Sequence, residues 1–439
     1  MMKHPILRWL LRVLLAIVAL VFFVFLGLLI YFFAVVEPRN QEAARQAEIF
    51  QHLKGPARNL AIFDAAASLI DAHYYDPHFY GVDWPKLRAE MRRKAEMAPN
   101  DFELYWSVLY QMAQLFPASH MGFIAPSARL PASTSSAQKT KSTSPTRCET
   151  TLGSGGLWLS TVRRLNSRIL MIGEIDPGSP AAEAGLRPGW LLQMYTARVD
   201  AGHIHFIVDV LPLSDADVRK LALHNTLPSP SPAPRHFDFE TRCVPDKTHF
   251  ESRQLPDGTL YIRFNDFNAS EAPSVASALQ GAGMHPIILD LRYNEGGFAS
   301  LLLDHLIPRG VPLYNIQDRK GTHTLRAKYE SPHYDGRLAV LIGPSTSSAA
   351  EISAWVLHQA GRAILIGRPT NGSVLGSRYY PLPDGGSIQI AVDNVTMPDG
   401  TVLESRGIAP DIEIEPTPEQ LRAGLDPALE AADRALHGQ

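Results

Sequence analysis

One apolar stretch near the start of the chain limits where the rest of the molecule can fold. The 24 residues from Val13 to Val36 contain no charged side chain and are rich in Leu, Val and Phe. About 20 such residues are enough for a helix to cross the hydrocarbon core of a bilayer. Lys3, Arg8 and Arg12 precede the stretch, and positive residues stay on the cytoplasmic side. The pattern predicts a cytoplasmic tip and transmembrane anchor over residues 1–36, in the cell (inner) membrane, with the remainder periplasmic or extracellular.

Two other interpretations of this stretch stay open. A cleavable signal peptide has an apolar region of about 7 to 15 residues that ends in small residues. The residues before Glu37 are instead Phe-Phe-Ala-Val-Val, which favours an uncleaved anchor over a removed signal. A buried core helix is the third interpretation.

Composition limits the classes of function. At about 150 residues per domain, 439 residues leave room for two or three folded units. With 45% hydrophobic and 19% charged residues, the chain is able to bury a sizeable core. The 41 basic and 44 acidic residues give a net charge of -3, and removing the three N-terminal cations leaves 38 against 44, or -6. The exported part therefore has no broad basic surface, and we expect no nucleic-acid partner.

The patterning after the span divides the chain into four parts. Residues 41–125 carry helical periodicity, and residues 126–147 have the Ser/Thr-rich composition of a linker. Short strands follow over residues 148–245. In residues 250–439, strands at 260–264, 287–291, 338–342 and 363–366 alternate with helices at 273–279, 299–306 and 349–359. This alternation predicts the α/β class, and the pattern of residues 419–436 predicts one closing helix.

A serine-rich turn follows the predicted strand 338–342. A serine in the first turn of the helix that follows meets unpaired backbone N–H groups and the positive end of the helix dipole, which stabilise an alkoxide and an oxyanion. Ser348 occupies this position. On spacing alone, Ser345, Ser347 and Ser348 are equally well explained as helix-capping and turn residues.

A second element is the buried strand that ends in Asp290-Leu291-Arg292-Tyr293-Asn294-Glu295-Gly296-Gly297. Paired glycines let the backbone approach a ligand closely and present an N–H group to it. Taken alone, this is also a common strand-to-helix turn.

Together these elements resemble the superfamily of carboxyl-terminal processing and tricorn-type serine peptidases with a PDZ domain. Five stretches carry the resemblance, in the family's order: 72–77, 153–243, 290–297, 345–351 and 407–412. The resemblance implies an α/β catalytic core of crotonase-like (ClpP/crotonase) type. It also implies an inserted PDZ-like β-rich domain and a helical N-terminal subdomain.

The resemblance implies that Ser348 is the nucleophile. The oxyanion hole would be formed by the N–H of Ala349 and of one glycine of the pair Gly296-Gly297, with Gly296 preferred. One branch of the family has a lysine base 25 residues after the nucleophile, and Ser373 occupies that position here. A serine hydroxyl is no general base at neutral pH, so a Ser-Lys dyad is excluded at this position.

The tricorn-type branch has a Ser-His pair and a late glutamate instead, which match Ser119, His120 and Glu404. The resemblance implies that His120 is the general base and that Glu404 acts through Ser119 to fix the imidazole. A structural Ser-His pair, and a surface ion pair of Glu404 with Arg406, stay open as alternatives.

The PDZ-like region implies a peptide-binding site. Gly155, Gly156 and Leu157 would offer backbone N–H groups to a peptide carboxylate at a strand edge. Cys148 and Cys243 bracket this region. Because the terminal strands of PDZ domains are neighbours, the resemblance also implies a disulfide between them in a non-reducing compartment.

The sequence thus predicts a membrane-anchored serine endopeptidase of the tail-specific type, which hydrolyses exported polypeptides through an acyl-enzyme. Its expected partners are polypeptide substrates and the membrane, and a homo-oligomer is left open. No cofactor is expected. The sixteen histidines form no HExxH motif, so no metal site is expected either. Two rivals stay open: an inactive peptide-binding protein of the same fold, and a PDZ scaffold.

Overall fold

The computed structural model of the chain describes residues 48–126, 155–164, 167–176, 178–200, 203–224, 229–230, 232–242, 250–328 and 334–438, with scattered positions between 21 and 45. Among these residues, no helix combines the length and the apolar character that a membrane span needs. The span predicted at 13–36 lies largely outside the described residues. Cys148 and Cys243 lie outside them entirely, so their disulfide stays a prediction.

The first part of the described chain is helical. Its helices are α1 (Gly55–His73), α2 (Trp84–Met97), the π-helix Glu103–Tyr110 and α3 (Gln111–Gln114). Pro85 lies in the first turn of α2, and the Asp83 carboxylate caps the helix by accepting from the Lys86 N–H. The buried faces of these helices pack together and onto Ile388 and Ile390 of a strand far along the chain.

A separate antiparallel sheet follows, with the strand order β2-β3-β4-β5-β6. Its strands are β2 (Leu157–Arg164), β3 (Ser167–Ile175), β4 (Leu191–Asp200), β5 (His203–Leu211) and β6 (Arg235–Arg242). The short helix α4 (Pro180–Glu183) follows β3, and α5 (Asp215–His224) lies near β2. The sheet has its own apolar core, centred on residues such as Phe206 and Ile172.

The third part is an α/β unit, which confirms the class predicted for the core. Its strands β7 (Glu251–Gln254), β8 (Leu260–Arg263), β9 (Ile287–Asp290), β12 (Leu338–Ile342), β13 (Ala363–Gly367) and β16 (Ile412–Glu413) form one sheet, in the order β16-β13-β12-β9-β8-β7. All but β7 run parallel. The helices α6 (Ala272–Ala282), α7 (Ser300–Leu306) and α8 (Ala349–Gln359) connect them. Strands β9 and β12 are buried throughout, because apolar side chains cover both faces.

A further sheet joins the helical part to the core. Its strands are β1 (Gly122–Ile124), β10 (Pro312–Asp318), β11 (Gly321–Arg326), β14 (Gly376–Pro381) and β15 (Ser387–Thr396). Strand β1 pairs with β15 antiparallel, with Gly122 opposite Gln389. This pairing places the residues just before β1 beside β15.

The prediction of one closing helix over 419–436 is wrong, because the structure has two. They are α9 (Pro418–Arg422) and α10 (Pro427–His437). Gly424 adopts a φ of +72° between them, a conformation that ends a helix. Pro427 then begins the second helix, and the Asp426 carboxylate caps it by accepting from the Leu429 N–H.

Candidate active site

Ser348 lies at a sharp turn between β12 and the first residue of α8. Its φ of +56° is rare for a residue with a side chain, and such strain is held only where surrounding contacts impose it. The Thr346 hydroxyl donates to the Leu291 carbonyl at 2.7 Å, and the Ser347 N–H donates to the Asn294 carbonyl at 3.0 Å. These two hydrogen bonds therefore hold the turn against the end of β9 and the loop that follows it.

Gly296 lies directly against Ser348. A Cβ atom at Gly296, whose φ is +106°, would lie 2.5 Å from the Ser348 Cβ and 3.0 Å from the Ala349 nitrogen. The Gly296 N–H, however, donates to the Asn294 Oδ1 at 3.0 Å. Among the contacts of the described residues, the N–H groups of Gly297 and Ala349 make no hydrogen bond. The Gly296 N–H is thus already paired, which leaves Gly297 as the alternative oxyanion donor of the glycine pair, and the missing side chain of Gly296 leaves space for Ser348.

Three of the predicted catalytic side chains form one connected chain. The Glu404 carboxylate accepts from the Ser119 N–H at 2.7 Å and from the Ser119 hydroxyl at 3.0 Å. The Ser119 Oγ lies 2.8 Å from the His120 Nδ1. The Val374 N–H also donates to Glu404, at 2.9 Å. Because β1 pairs with β15, the dipeptide Ser119-His120 reaches a glutamate 285 residues further along the chain.

This chain of hydrogen bonds selects the tautomer of His120. An ionised carboxylate only accepts, so the single hydroxyl hydrogen of Ser119 points to Glu404. The Ser119 oxygen must then accept from the Nδ1–H of His120, which leaves the Nε2 lone pair free to take a proton. Burial lowers the pKa of His120 below its ordinary value, and the Glu404 charge opposes this shift in part. A neutral imidazole at neutral pH is the form that a general base requires.

The loop that replaces the lysine element of the other branch is a scaffold here. The Ser348 N–H donates to the Ser373 carbonyl at 2.7 Å. The buried Glu351 carboxylate accepts from the N–H groups of Gly372 and Ser373, each at 2.7 Å, and from the Thr370 hydroxyl. Burial raises the pKa of Glu351, and these donors work against that rise. Glu351 is the last residue of the stretch 345–351, and its position in the first turn of α8 is the one sequence signal of this role.

The structure therefore arranges the predicted catalytic residues in two halves. One half contains Ser348, Ala349 and the glycine pair, and the other contains Ser119, His120 and Glu404. Among the described side chains, no hydrogen bond joins His120 to Ser348. The two halves are linked through the backbone of Ser373 and Val374.

The residues predicted to bind peptide lie at the start of β2, an edge strand of its sheet. Gly156 has a φ of +78°, and a Cβ there would lie 2.2 Å from the Ser179 Cβ. Gly155 packs against the Phe239 ring, and the Leu157 side chain is buried in the core of the sheet. Close packing thus accounts for a glycine at each of these two positions. The outer edge of β2 pairs with no strand among the described residues.

The antiparallel sheet contacts the α/β core beside the glycine loop. The Trp158 ring lies 5.3 Å from that of Tyr293, and Arg263 pairs with Glu174 at 2.7 Å. A cleft of about 380 Å³ opens along this contact, with Arg263, Tyr293 and Ser345 among its lining residues. Because Ser345 lines it, the cleft reaches the serine turn.

One group of three side chains in the described part of the chain has the composition of a metal site: Asp257, Asp433 and His437. The His437 Nε2 lies 2.7 Å from the Asp257 Oδ2, so these groups contact one another directly. Asp257 precedes β8, whereas Ser348 follows the parallel strand β12. The group therefore lies at the opposite end of the sheet from Ser348 and takes no part in the site.

Comparisons with known proteins show what the chain is similar to. Residues 258–414 match the model of peptidase family S41, and residues 56–112 match the tricorn protease C1 domain. A carboxyl-terminal-processing protease of Synechocystis is 29% identical over 253 residues, which cover 54% of this chain and 57% of that protein. One from Picosynechococcus is 32% identical over 157 residues, or 34% of this chain and 38% of that protein. The chain spans about half the length, or less, of these curated relatives.

The fold is also found among solved structures. A photosystem II D1 C-terminal processing protease superposes with a TM-score of 0.52 at 22% identity, and the match covers 86% of this chain and 97% of that one. At this identity, the likeness shows the fold alone.

Proposed function

We propose that this chain, which belongs to the superfamily of carboxyl-terminal processing and tricorn-type serine peptidases, hydrolyses peptide bonds through an acyl-enzyme at Ser348. The observation that carries the proposal is the hydrogen-bonded chain from Glu404 through Ser119 to the Nδ1 of His120. This arrangement leaves the Nε2 of His120 unprotonated, so the site has a general base although it has no lysine at the position of the Ser-Lys branch. The strained turn at Ser348 supplies the nucleophile.

The reaction follows from these positions. The Ser348 Oγ attacks the scissile carbonyl carbon while the Nε2 of His120 accepts the hydroxyl proton. The N–H groups of Ala349 and Gly297 stabilise the oxyanion of the tetrahedral intermediate. The imidazolium then returns the proton to the leaving amine, and the C–N bond breaks to give the acyl-enzyme. Water, activated by His120, cleaves the ester and restores Ser348.

Closure of the site is part of this proposal. Since no hydrogen bond joins His120 to Ser348 in the described structure, we infer that substrate binding brings the two halves together. Catalytic hydrogen bonds are often loose before substrate binds and tighten in the complex.

The class of substrate is inferred from the names of the relatives and from the antiparallel sheet. The relatives are carboxyl-terminal processing proteases, so the expected substrates are polypeptide termini or unfolded chains. We propose that the sheet β2–β6 is a PDZ-like domain inserted in a crotonase-like peptidase. A peptide would add to the free edge of β2, next to Gly155 and Gly156.

Membrane anchoring through residues 13–36 is the second part of the proposal. The described positions Val21, Phe23 and Phe25 are helical and carry exposed apolar side chains, as expected for side chains that face lipid. The positive residues Lys3, Arg8 and Arg12 before the span support an orientation with the peptidase outside the cytoplasm. Flotation of the full chain with lipid vesicles after alkaline carbonate washing tests the anchor, and loss of the protein to the wash would contradict it.

Active-site labelling tests the chemistry. A fluorophosphonate should modify the wild-type protein but neither Ser348→Ala nor His120→Ala. The exposed serine of the same turn gives a matched control, so Ser345→Ala should label like the wild type. Labelling of Ser348→Ala would move the nucleophile elsewhere. A wild type that neither labels nor cleaves casein would favour the inactive peptide-binding protein or the PDZ scaffold.

A further inference from the structure

The helical part of the molecule presents an exposed row of aromatic side chains. Phe102, Trp106 and Tyr110 follow one another at four-residue spacing, which places them on one side of the helix. They are 68%, 57% and 37% exposed. The rings of Trp106 and Tyr110 stack in parallel, with centroids 4.9 Å apart. We call these three side chains the aromatic face. Contiguous apolar patches are rare on soluble monomers and mark contact sites.

The chain arriving from the predicted membrane span reaches the fold beside this face. Arg58, near the start of α1, pairs with Asp101 through two hydrogen bonds of 2.6 and 3.2 Å. Its guanidinium group also lies 5.8 Å from the centre of the Phe50 ring. The Asn59 side chain donates to the Ala98 carbonyl at 2.9 Å. The segment that follows the span is therefore held against residues 98–101, directly next to Phe102.

The length of the intervening chain limits how far this face can be from the bilayer. Phe50 lies fourteen residues after Val36 in the sequence. At about 3.3–3.6 Å per residue, even a fully extended chain spans roughly 50 Å. As a helix, the same residues span about 21 Å. The aromatic face is thus tethered within reach of the membrane surface.

The chemistry of the face fits the interfacial region of a bilayer. Tryptophan and tyrosine concentrate at the headgroup level, because their rings have an apolar body and a polar edge. Between Met97 and Phe116, the charged residues are Asp101 and Glu103, and Asp101 is paired with Arg58. With no lysine or arginine in this stretch, contact with lipid would depend on apolar insertion rather than on attraction to anionic headgroups.

We propose that the aromatic face docks onto the lipid bilayer next to the anchor. This inference rests on the anchor proposed above. Since the same helical segment leads directly to Ser119 and His120, docking would fix the orientation of the active site relative to the membrane. A chain orienting its active site in this way would favour substrates presented close to the bilayer.

Quenching of Trp106 by brominated lipid tests the proposal on the full chain reconstituted into phosphatidylcholine–phosphatidylglycerol vesicles. Trp9 precedes the span and would also respond, so the measurement uses a Trp9→Phe background. Brominated acyl chains should decrease the tryptophan fluorescence. When Trp106→Phe is added, that decrease should become at most half as large. Raising the salt from 50 to 500 mM should leave the quenching unchanged. Proteolytic activity in Trp106→Phe confirms the fold.

The outcomes separate this proposal from the anchor. If the protein floats with vesicles but Trp106→Phe leaves the quenched fraction unchanged, docking is wrong and the anchor stands. If the protein fails to float, the anchor itself is wrong. Shielding of Trp106 from both brominated lipid and aqueous iodide would show that protein covers the face, as in a second copy of the chain, and would also overturn the proposal. Quenching that disappears at high salt would contradict insertion through apolar contacts.

Discussion

The backbone nitrogen of Ser348 donates a hydrogen bond to the carbonyl oxygen of Ser373 at 2.7 Å. By the resemblance given above, Ser373 occupies the position of the lysine in the Ser-Lys branch, and here the backbone of this loop supports Ser348. The next residue, Val374, donates to Glu404 at 2.9 Å. The consecutive residues Ser373 and Val374 thus connect Ser348 to Glu404, the residue that hydrogen-bonds Ser119. The distance between the two halves of the site therefore depends on this short loop.

Glu351→Gln should loosen the loop. Three donors converge on the buried carboxylate, from Thr370, Gly372 and Ser373, and a glutamine would turn its own N–H₂ group toward one of them. We expect a loss of about 1–3 kcal/mol in the free energy of unfolding, together with a lower kcat. Glu430→Gln, at an exposed surface pair, should change neither. Thermal melts and peptidase assays check this, and a wild-type Tm and kcat in Glu351→Gln would refute the scaffold role.

Glu404→Gln should lower kcat/KM by about 10²- to 10⁴-fold, the usual contribution of a general base that is lost or misdirected. The glutamine cannot accept from the Ser119 hydroxyl, the Ser119 N–H and the Val374 N–H together. Labelling by fluorophosphonate should slow in parallel, while far-ultraviolet circular dichroism stays unchanged. Full activity in this variant would remove Glu404 from the mechanism.

Glu404→Gln should also shift the pH dependence of kcat/KM in a defined direction. Burial lowers the pKa of His120 and Glu404 raises it, so the acid limb of the wild-type kcat/KM profile should lie below about 6.5. Removing the Glu404 charge should move that limb to still lower pH. A limb that moves to higher pH, or a profile that rises only above pH 8 as for a lysine base, would contradict the assignment of His120.

The parts of the fold that could be predicted are those with a strong local pattern. The bounds of β12 and α8 match the predictions at 338–342 and 349–359, because an unbroken aliphatic run and a helical period are visible within one segment. Strands β14 and β15 were not predicted. Strand β14 is half exposed, and its pairing with β15 shifts register at Gly376/Ser377, which blurs the two-residue alternation.

The candidate site was predictable only in part, and for a different reason. That Ser119, His120 and Glu404 meet depends on the pairing of β1 with β15, which no local pattern encodes. Only the resemblance to a family pointed to it. The competition between Asn294 and an oxyanion for the Gly296 N–H is a matter of atomic geometry, so the sequence alone did not separate Gly296 from Gly297.

Asp290→Asn should change the acid stability of the protein. Burial opposes ionisation of Asp290, but Arg292 outweighs it and lowers the pKa to about 2. The stabilisation is complete above the unfolded pKa of about 3.9 and is lost as the pH falls toward 2, a difference of about 2.5 kcal/mol. Chemical denaturation at pH 7, 4 and 2 should show this loss in the wild type. In Asp290→Asn, stability at pH 7 should already be reduced and should fall less between pH 4 and 2; an equal fall in both proteins would refute the assignment.

Gly296→Ala should lower kcat strongly at a modest cost in stability. The new Cβ would lie 2.5 Å from the Ser348 Cβ, and the φ of +106° is strained for alanine, so we expect a loss of about 1–3 kcal/mol. Displacing Ser348 from its oxyanion donors should lower kcat by about 10²-fold or more.

Gly281→Ala in α6 is the matched control for this change. No atom lies within 4 Å of a Cβ at Gly281, and alanine is favoured over glycine inside a helix by about 1 kcal/mol. The control should therefore keep full labelling by fluorophosphonate and melt at the same or a higher temperature. If Gly296→Ala labelled as fast as Gly281→Ala, the close approach of Gly296 to Ser348 would have no catalytic role, and the assignment of this loop as part of the active site would be wrong.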